Sequence, residues 1–337
     1  MLFSITSLIH LDLSLYLTDT RILKVLRHKH QGLVLNDTLT WVDHVNYVCS
    51  NASRKLGLMY KFKNLFFHRK TLVRIYFSYI RSAIEYASVC YDNMSASDNI
   101  RLEKLQRRAA LICCGALQRT ESNKLLSELG WPSLMTRRSD AKLCLMFKIL
   151  NNMTPSYLLD DLVESHGGGP IVSARTHQLL VPKCRTSKFK NSFFPSTTSV
   201  WNKLPLIVKQ SVSLNCFKST LKRQHSAADS ILPGVYNCFY GYHGSILAQL
   251  RLGLSNLKGD LFNFNLTDNP ICPLCLGSFE SRSHFFVNCT VLDVERRVLF
   301  GQISQFFPQF QQLSLIDKSI ICTFGSPHLI LQLILNY

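Results

Sequence analysis

The stretch Ser97-Asp-Asn-Ile-Arg-Leu-Glu-Lys-Leu-Gln-Arg-Arg-Ala-Ala-Leu-Ile-Cys-Cys-Gly115 decides the fold class of this chain. Ile100, Leu102, Leu105, Ala109 and Ile112 recur at the spacing of one helical face, while Arg101, Lys104 and Arg108 gather on another. Ser97 and Asp98 are placed to cap the N-terminus, where a side-chain oxygen accepts from an otherwise unpaired N–H. Gly115 can end the helix in the left-handed region, which costs a glycine little. The pattern is therefore a helix with a buried stripe and a basic outer face.

Working outward, the same periodicity dominates. Val45, Val48, Ala52, Leu56, Met59 and Phe62 mark a helix from about His44, and Leu72, Ile75, Tyr79, Ala83 and Tyr86 mark a second. Upstream, Gln31-Gly-Leu-Val-Leu-Asn36 reads as a short strand leading through a turn to an element carrying Trp41. Downstream, helices are expected over 123–129, 137–150 and 156–163, with Gly130-Trp-Pro132 and Gly167-Gly-Gly-Pro170 as breakers. The second breaker is the expected domain boundary. Beyond it come strand-like residues, Pro182 and Pro195, a turn around Val200-Trp-Asn-Lys-Leu-Pro205, and a basic helix from Leu214 to Gln224. A small C-terminal unit begins near Ile231, with a helix near Ile246–Leu254.

Composition limits the classes of function. The chain has 337 residues, 47% of them hydrophobic, enough for one large core or two modest ones. Lys and Arg number 38 against 21 Asp and Glu, a formal charge of +17. That excess is regional. No acid lies between His44 and Ile84, where Arg54, Lys55, Lys61, Lys63, Arg69, Lys70, Arg74 and Arg81 fall. None lies between Ser165 and Ala228 either, where Arg175, Lys183, Arg185, Lys188, Lys190, Lys203, Lys209, Lys218, Lys222 and Arg223 fall. Runs of one sign repel, so a polyanionic partner explains them better than two solvated faces. The scattered Cys residues do not read as a secreted disulfide framework, and an intracellular, reducing location (nucleus or cytoplasm) is expected. The apolar start, with His10 and Asp12 inside it, does not read as a signal peptide, and no run is long enough for a membrane span.

The sharpest motif is Cys272-Pro-Leu-Cys275, followed after eight residues by His284 and after four more by Cys289. A CxxC turn supplies two thiolates from one knuckle, and His284 and Cys289 return from a following helix, completing the four donors a tetrahedral zinc ion takes. Gly277 is expected to let the chain leave the knuckle sharply. Three Cys and one His leave no open coordination position, so Zn2+ here is expected to be structural and not to activate water. The alternative is a set of ordinary buried cysteines beside the apolar Phe285, Phe286 and Val287. The remaining Cys residues show no such spacing to a His.

In the order of its segments the chain resembles the C-terminal, post-catalytic part of a non-LTR (LINE-type) retrotransposon reverse transcriptase. The likeness rests on His30-Gln-Gly-Leu-Val-Leu-Asn36 with Leu39-Thr-Trp41 and His44, on Ile100-Arg-Leu-Glu-Lys-Leu-Gln-Arg-Arg-Ala109, and on Leu129-Gly-Trp-Pro-Ser-Leu134 through Arg137-Arg138. It continues in Phe193-Phe-Pro195, Trp201-Asn-Lys-Leu-Pro205 and Phe217-Lys218, and in Arg251-Leu-Gly-Leu254 ahead of the zinc ligands. It covers most of residues 30–300. The resemblance implies a mainly α architecture: a leader over 1–29, a helical thumb-like domain over 30–165, a basic connector with short strands over 166–230, a CCHC zinc module over 231–300 and an apolar tail over 301–337.

The family polymerises DNA with Asp carboxylates that hold two metal ions, because phosphoryl transfer needs metals to spread the developing charge. No such set occurs here. Asp160-Asp161 follows Tyr157-Leu-Leu159 at the wrong spacing and reads as a solvated helix face. Nor does an endonuclease-like cluster of carboxylates and Lys follow Cys289. The expected function is thus binding of RNA or an RNA–DNA duplex through its backbone, with no catalytic residue and with any polymerase core supplied in trans. Arg101, Lys104, Arg107 and Arg108 are the expected thumb contacts, joined by Lys183, Arg185, Lys188 and Lys190, since Lys and Arg on phosphate set affinity without reading sequence. Phe193 and Trp201 are read as core. The rival class is a non-binding relic or a protein-interaction adaptor.

Overall fold

A computed structural model describes residues 15–22, 25–65, 69–116, 118–165, 178–225 and 241–324. The chain is mainly helical, with two small antiparallel hairpins near its start. Strand β1 (Leu15–Leu17) pairs with β2 (Thr20–Ile22), and β3 (Arg27–His30) pairs with β4 (Leu33–Asn36). Gln31 (φ 44) and Gly32 (φ 86) fill the second turn, and both take the positive φ that a two-residue hairpin turn demands.

The helices follow. They are α1 (Val42–Asn64), α2 (Arg69–Ile75), a π-helical continuation at Tyr76–Arg81, α3 (Ser82–Glu85), α4 (Ala96–Cys114), α5 (Ser122–Leu129), α6 (Leu134–Leu150) and α7 (Tyr157–Ser165). Next come α8 (Ser187–Lys190), α9 (Phe193–Asn202), α10 (Leu206–Lys209) and α11 (Leu214–His225). The last are α12 (Gly241–Leu252), α13 (Lys258–Asn263), α14 (Asp293–Phe306) and α15 (Leu315–Phe324). Among the described residues no helix is long and apolar enough to cross a membrane.

The chain divides into two compact units, each assembled from three stretches. One unites Met1–Lys55, Ile80–Gln106 and Pro132–Ala228, and the other Leu56–Tyr79, Arg107–Trp131 and Asp229–Tyr337. The Gly167-Gly-Gly-Pro170 breaker lies outside the described residues. In the first unit, Leu143, Met146, Phe147 and Ile149 of α6 pack with Leu162, Trp201, Val208, Phe217 and Leu221. Phe217 stacks on Phe147 at 4.7 Å and on Trp201 at 5.7 Å between ring centroids. Each such ring stabilises the unit by about 1.5–3 kcal/mol through burial alone. Trp201 is therefore a core residue, as the sequence suggested. Asp92 binds two buried cations of α6, accepting from Lys142 Nζ at 2.7 Å and from Arg138 Nε at 3.2 Å. In the second unit, α12 packs against α2, α5 and α15, and Tyr76 stacks on Trp131 at 4.5 Å.

Several local expectations change. The helix read from Ser97 starts at Ala96, and its cap is Ser95. The Ser95 hydroxyl accepts from the Asp98 N–H at 3.1 Å, the bond of an N-cap, and donates to the Asp98 carboxylate at 2.8 Å. Ile100 is exposed, whereas Leu102, Leu105, Ala109 and Ile112 are buried as the periodicity requires. Gly115 (φ 64) and Gly130 (φ 62) end their helices left-handed. In the second helix the buried residues are Leu72, Tyr76, Ile80 and Ile84, not Ile75, Tyr79, Ala83 and Tyr86. The π-helical segment widens the turn there, so a strict four-residue step stays on one face where an ideal α-helix would drift off it.

Among the described residues of the connector, 178–225, no expected strand forms. Residues 178–186 are irregular chain with one bridged residue at Leu179, and 187–225 carries α8 to α11. Pro195 does not break α9 because it falls in the first turn, where the N–H it lacks has no partner in any helix.

Candidate metal centre

The residues from Pro270 to Glu280 form a tight ribbon. Ile271 bridges Phe279, the Cys272 N–H donates to the Ser278 carbonyl at 2.9 Å, and the Glu280 N–H donates to the Pro270 carbonyl at 2.9 Å. Within it the Leu276 N–H closes back on the Cys272 carbonyl at 3.0 Å. Leu276 makes the sharp exit, with φ at 54, whereas Gly277 is not left-handed. A branched residue in that region is strained and persists only where its surroundings hold it. Gly277 serves the knuckle differently: its backbone N–H is the main influence holding the Cys275 thiol below its usual pKa. Burial pushes the Cys272 thiol the other way.

His284 and Cys289 come from one π-helical turn, His284–Asn288, closed by the Cys289 N–H on the His284 carbonyl at 2.8 Å. In an α-helix, residues five apart point about 140° away from each other. The wider π turn carries residue i+5 nearly over residue i, so the x4 spacing delivers both side chains to one side. Cys272 Sγ lies 4.0 Å from Cys289 Sγ, Cys275 Sγ lies 3.3 Å from His284 Nε2, and all four donor atoms fall within 4.8 Å of one another. A tetrahedron with metal–sulfur bonds of about 2.3 Å has edges of about 3.8 Å. The cluster could therefore hold a metal ion. Cys272, His284 and Cys289 are buried and Cys275 is half-buried.

Three supports of this site have no motif in the sequence. A Cβ on Gly259 would lie 2.4 Å from the Phe279 ring and 2.6 Å from the Glu280 carbonyl, so only glycine lets α13 lie on the ribbon. The buried Glu280 carboxylate accepts from the Lys258 N–H at 2.5 Å, tying the start of α13 to the ribbon. Arg296 of α14 donates to the carbonyls of Phe286 and Cys289, which fixes the exit of the second ligand pair. A lone Gly, Glu or Arg carries no periodic signal, and only the folded neighbours reveal the role.

The expected phosphate contacts fall into two groups. Arg101 is engaged internally, donating to Asp98 at 3.0 Å and to Asn46 at 2.7 Å, and Arg107 donates to the carbonyls of Gln118 and Thr120. Lys104 and Arg108 are exposed. So are Lys183, Arg185, Lys188 and Lys190, and among the described residues none of these four forms an ion pair. Arg69, in the first acid-free run, is buried and donates to Cys114 Sγ at 3.4 Å. Asp160 and Asp161 are exposed on α7, as a solvated helix face requires. Comparison of the chain with family models, with curated proteins and with solved structures gives no match.

Proposed function

We propose that this chain binds RNA or an RNA–DNA duplex through the phosphate backbone, as a remnant of the post-catalytic region of a non-LTR retrotransposon reverse transcriptase. The observation that carries the reading is the group Lys183, Arg185, Lys188 and Lys190, exposed and without carboxylate partners in a stretch that contains no acid from Ser165 to Ala228. Cations left unpaired in solvent are available to phosphate, and each contact releases a counterion. Lys104 and Arg108, exposed on α4, are further proposed phosphate contacts, and Arg101 and Arg107 shape the surroundings of that helix through their internal bonds.

In this reading the Cys272, Cys275, His284 and Cys289 cluster holds Zn2+, which holds the module together and takes no part in chemistry, since four protein donors leave no position for water. The chain has no polymerase activity of its own. A catalytic core would have to come from another polypeptide.

Fluorescence anisotropy with a labelled RNA–DNA duplex tests the proposal. Affinity is expected to fall with a log–log salt slope of about −5 to −9, corresponding to about 6–10 neutralised phosphates. A flat titration rejects backbone binding and favours a relic or an adaptor. Primer extension by the isolated chain with Mg2+ would reject the absence of polymerase activity.

A further inference from the structure

The second unit contains a cavity of about 560 Å³ whose lining includes Lys124, Glu128, Arg251, Ser281, Arg282 and Ser319. That volume lies in the range in which proteins bury small organic ligands, and it is far larger than a single amino acid or an inorganic anion needs. Among its buried polar groups is Glu128, only 4% exposed, whose Oε1 has no hydrogen-bond partner among the described residues. A buried acceptor without a donor costs about 1–3 kcal/mol, and a ligand that brings a donor recovers it.

The charges around Glu128 narrow the kind of donor. Burial pushes its carboxyl up to about 7, against the opposing pull of Arg69 and Arg251. With two guanidiniums already near the carboxylate, an ammonium group on a ligand would be repelled, whereas a neutral N–H would not. The outer part of the cavity is suited to an anion. Among the described residues Lys124 pairs only with Glu121, at 3.5 Å between two largely exposed side chains, an interaction that solvent screens. Arg282 uses Nη1 to cap the carbonyls of Leu250 and Arg251, which leaves Nη2 outside that cap. The Ser281 hydroxyl accepts from the His284 N–H at 3.0 Å and retains its own proton to donate.

We propose that this cavity takes a single nucleotide, with N–H groups of its base donating to Glu128 and its phosphate meeting Lys124 and Arg282. Guanine is the expected base, because its N1–H and 2-amino group lie side by side and can reach one carboxylate together. Adenine presents an unprotonated N1 on the same edge and, above about pH 7 where Glu128 is ionised, would set one acceptor against another. The inference rests on the nucleic-acid reading, since an unpaired base of a bound strand is read on this edge in single-stranded recognition. The cavity can nevertheless be tested with mononucleotides alone.

Calorimetric titration of the full, metal-loaded chain at pH 8, where Glu128 is ionised, with guanosine 5′-monophosphate should show one site, at least tenfold tighter than for adenosine 5′-monophosphate. Glu128→Gln should abolish that preference. Lys124→Ala, at an exposed position, should weaken both nucleotides and keep the preference. Equal affinity for the two nucleotides, no binding, or an unchanged preference in Glu128→Gln overturns the proposal. If the nucleotide preference holds while duplex binding shows no salt slope, only the backbone reading fails. If salt-dependent duplex binding holds without a nucleotide preference, only the cavity proposal fails.

Discussion

The ribbon at 270–292 and the aromatic cluster at 143–221 reach order by different means. Over 270–280 the ribbon buries only Cys272 and Glu280 and leaves Leu274, Leu276 and Phe279 exposed, while Phe286 and Val287 join Leu299, Ile303 and Phe310 in a separate small core. The cluster buries Phe147, Trp201 and Phe217 in one stack drawn from three helices. A short segment with so small a core needs a cross-link to hold its shape, whereas the cluster is stabilised by area removed from water. In the proposed reading one region depends on a metal held by four donor atoms and the other on many small contacts.

The largest expected effect probes the ribbon. Chelation, or Cys289→Ser, should remove a metal-binding free energy on the order of 10–16 kcal/mol, as in small zinc domains, and abolish hydrogen-exchange protection over 270–292. Elemental measurement finding no zinc in the purified chain, with protection intact, would break the contrast. In the cluster, Trp201→Ala should cost about 3–5 kcal/mol in urea denaturation, by lost transfer energy plus the cavity left behind. A cost below about 1 kcal/mol would mean that the stack in solution is loose.

The next effect is a pH dependence. The carboxyl of Glu128 rises from 4.5 to about 7 in the folded chain, so the native state holds its proton more tightly than the unfolded state does. Its favourable contribution is complete below about 4.5 and is lost as pH rises through about 7, a decline of roughly 3 kcal/mol in unfolding free energy. Glu128→Gln cannot ionise and should lack this decline between pH 5 and 8; an identical slope in the variant assigns the titration elsewhere. The smallest effect on stability belongs to the exposed cations. Lys188→Ala with Lys190→Ala should leave the urea midpoint unchanged and reduce the salt slope of duplex binding by about 1.8.

The Cys and His cluster was legible from spacing because CxxC and a nearby His-x4-Cys confine four potential donors to eighteen residues, and few local conformations bring them together. The buried faces of α1 and α4 were legible because helical periodicity reports which side is dry. The face of the Leu72–Ile84 helix was misread by one position because the π segment changes the period, and sequence shows no sign of such a segment in advance. Pro182 does lie in irregular chain, whereas Pro195 suggested a break where α9 forms, because a first-turn proline is tolerated and propensity alone does not locate the turn.

By itself the sequence determined the helical class, the four donors and where positive charge accumulates, since these follow from residue type and short-range spacing. Only the tertiary structure decided which cations are used internally and which remain in solvent, because Arg101, Arg107 and Arg69 find partners that their neighbours in sequence do not reveal. It also decided that Glu128 is buried with an unpaired oxygen in a cavity. Burial of a charged group depends on surfaces far away in the chain, and no local pattern encodes their approach.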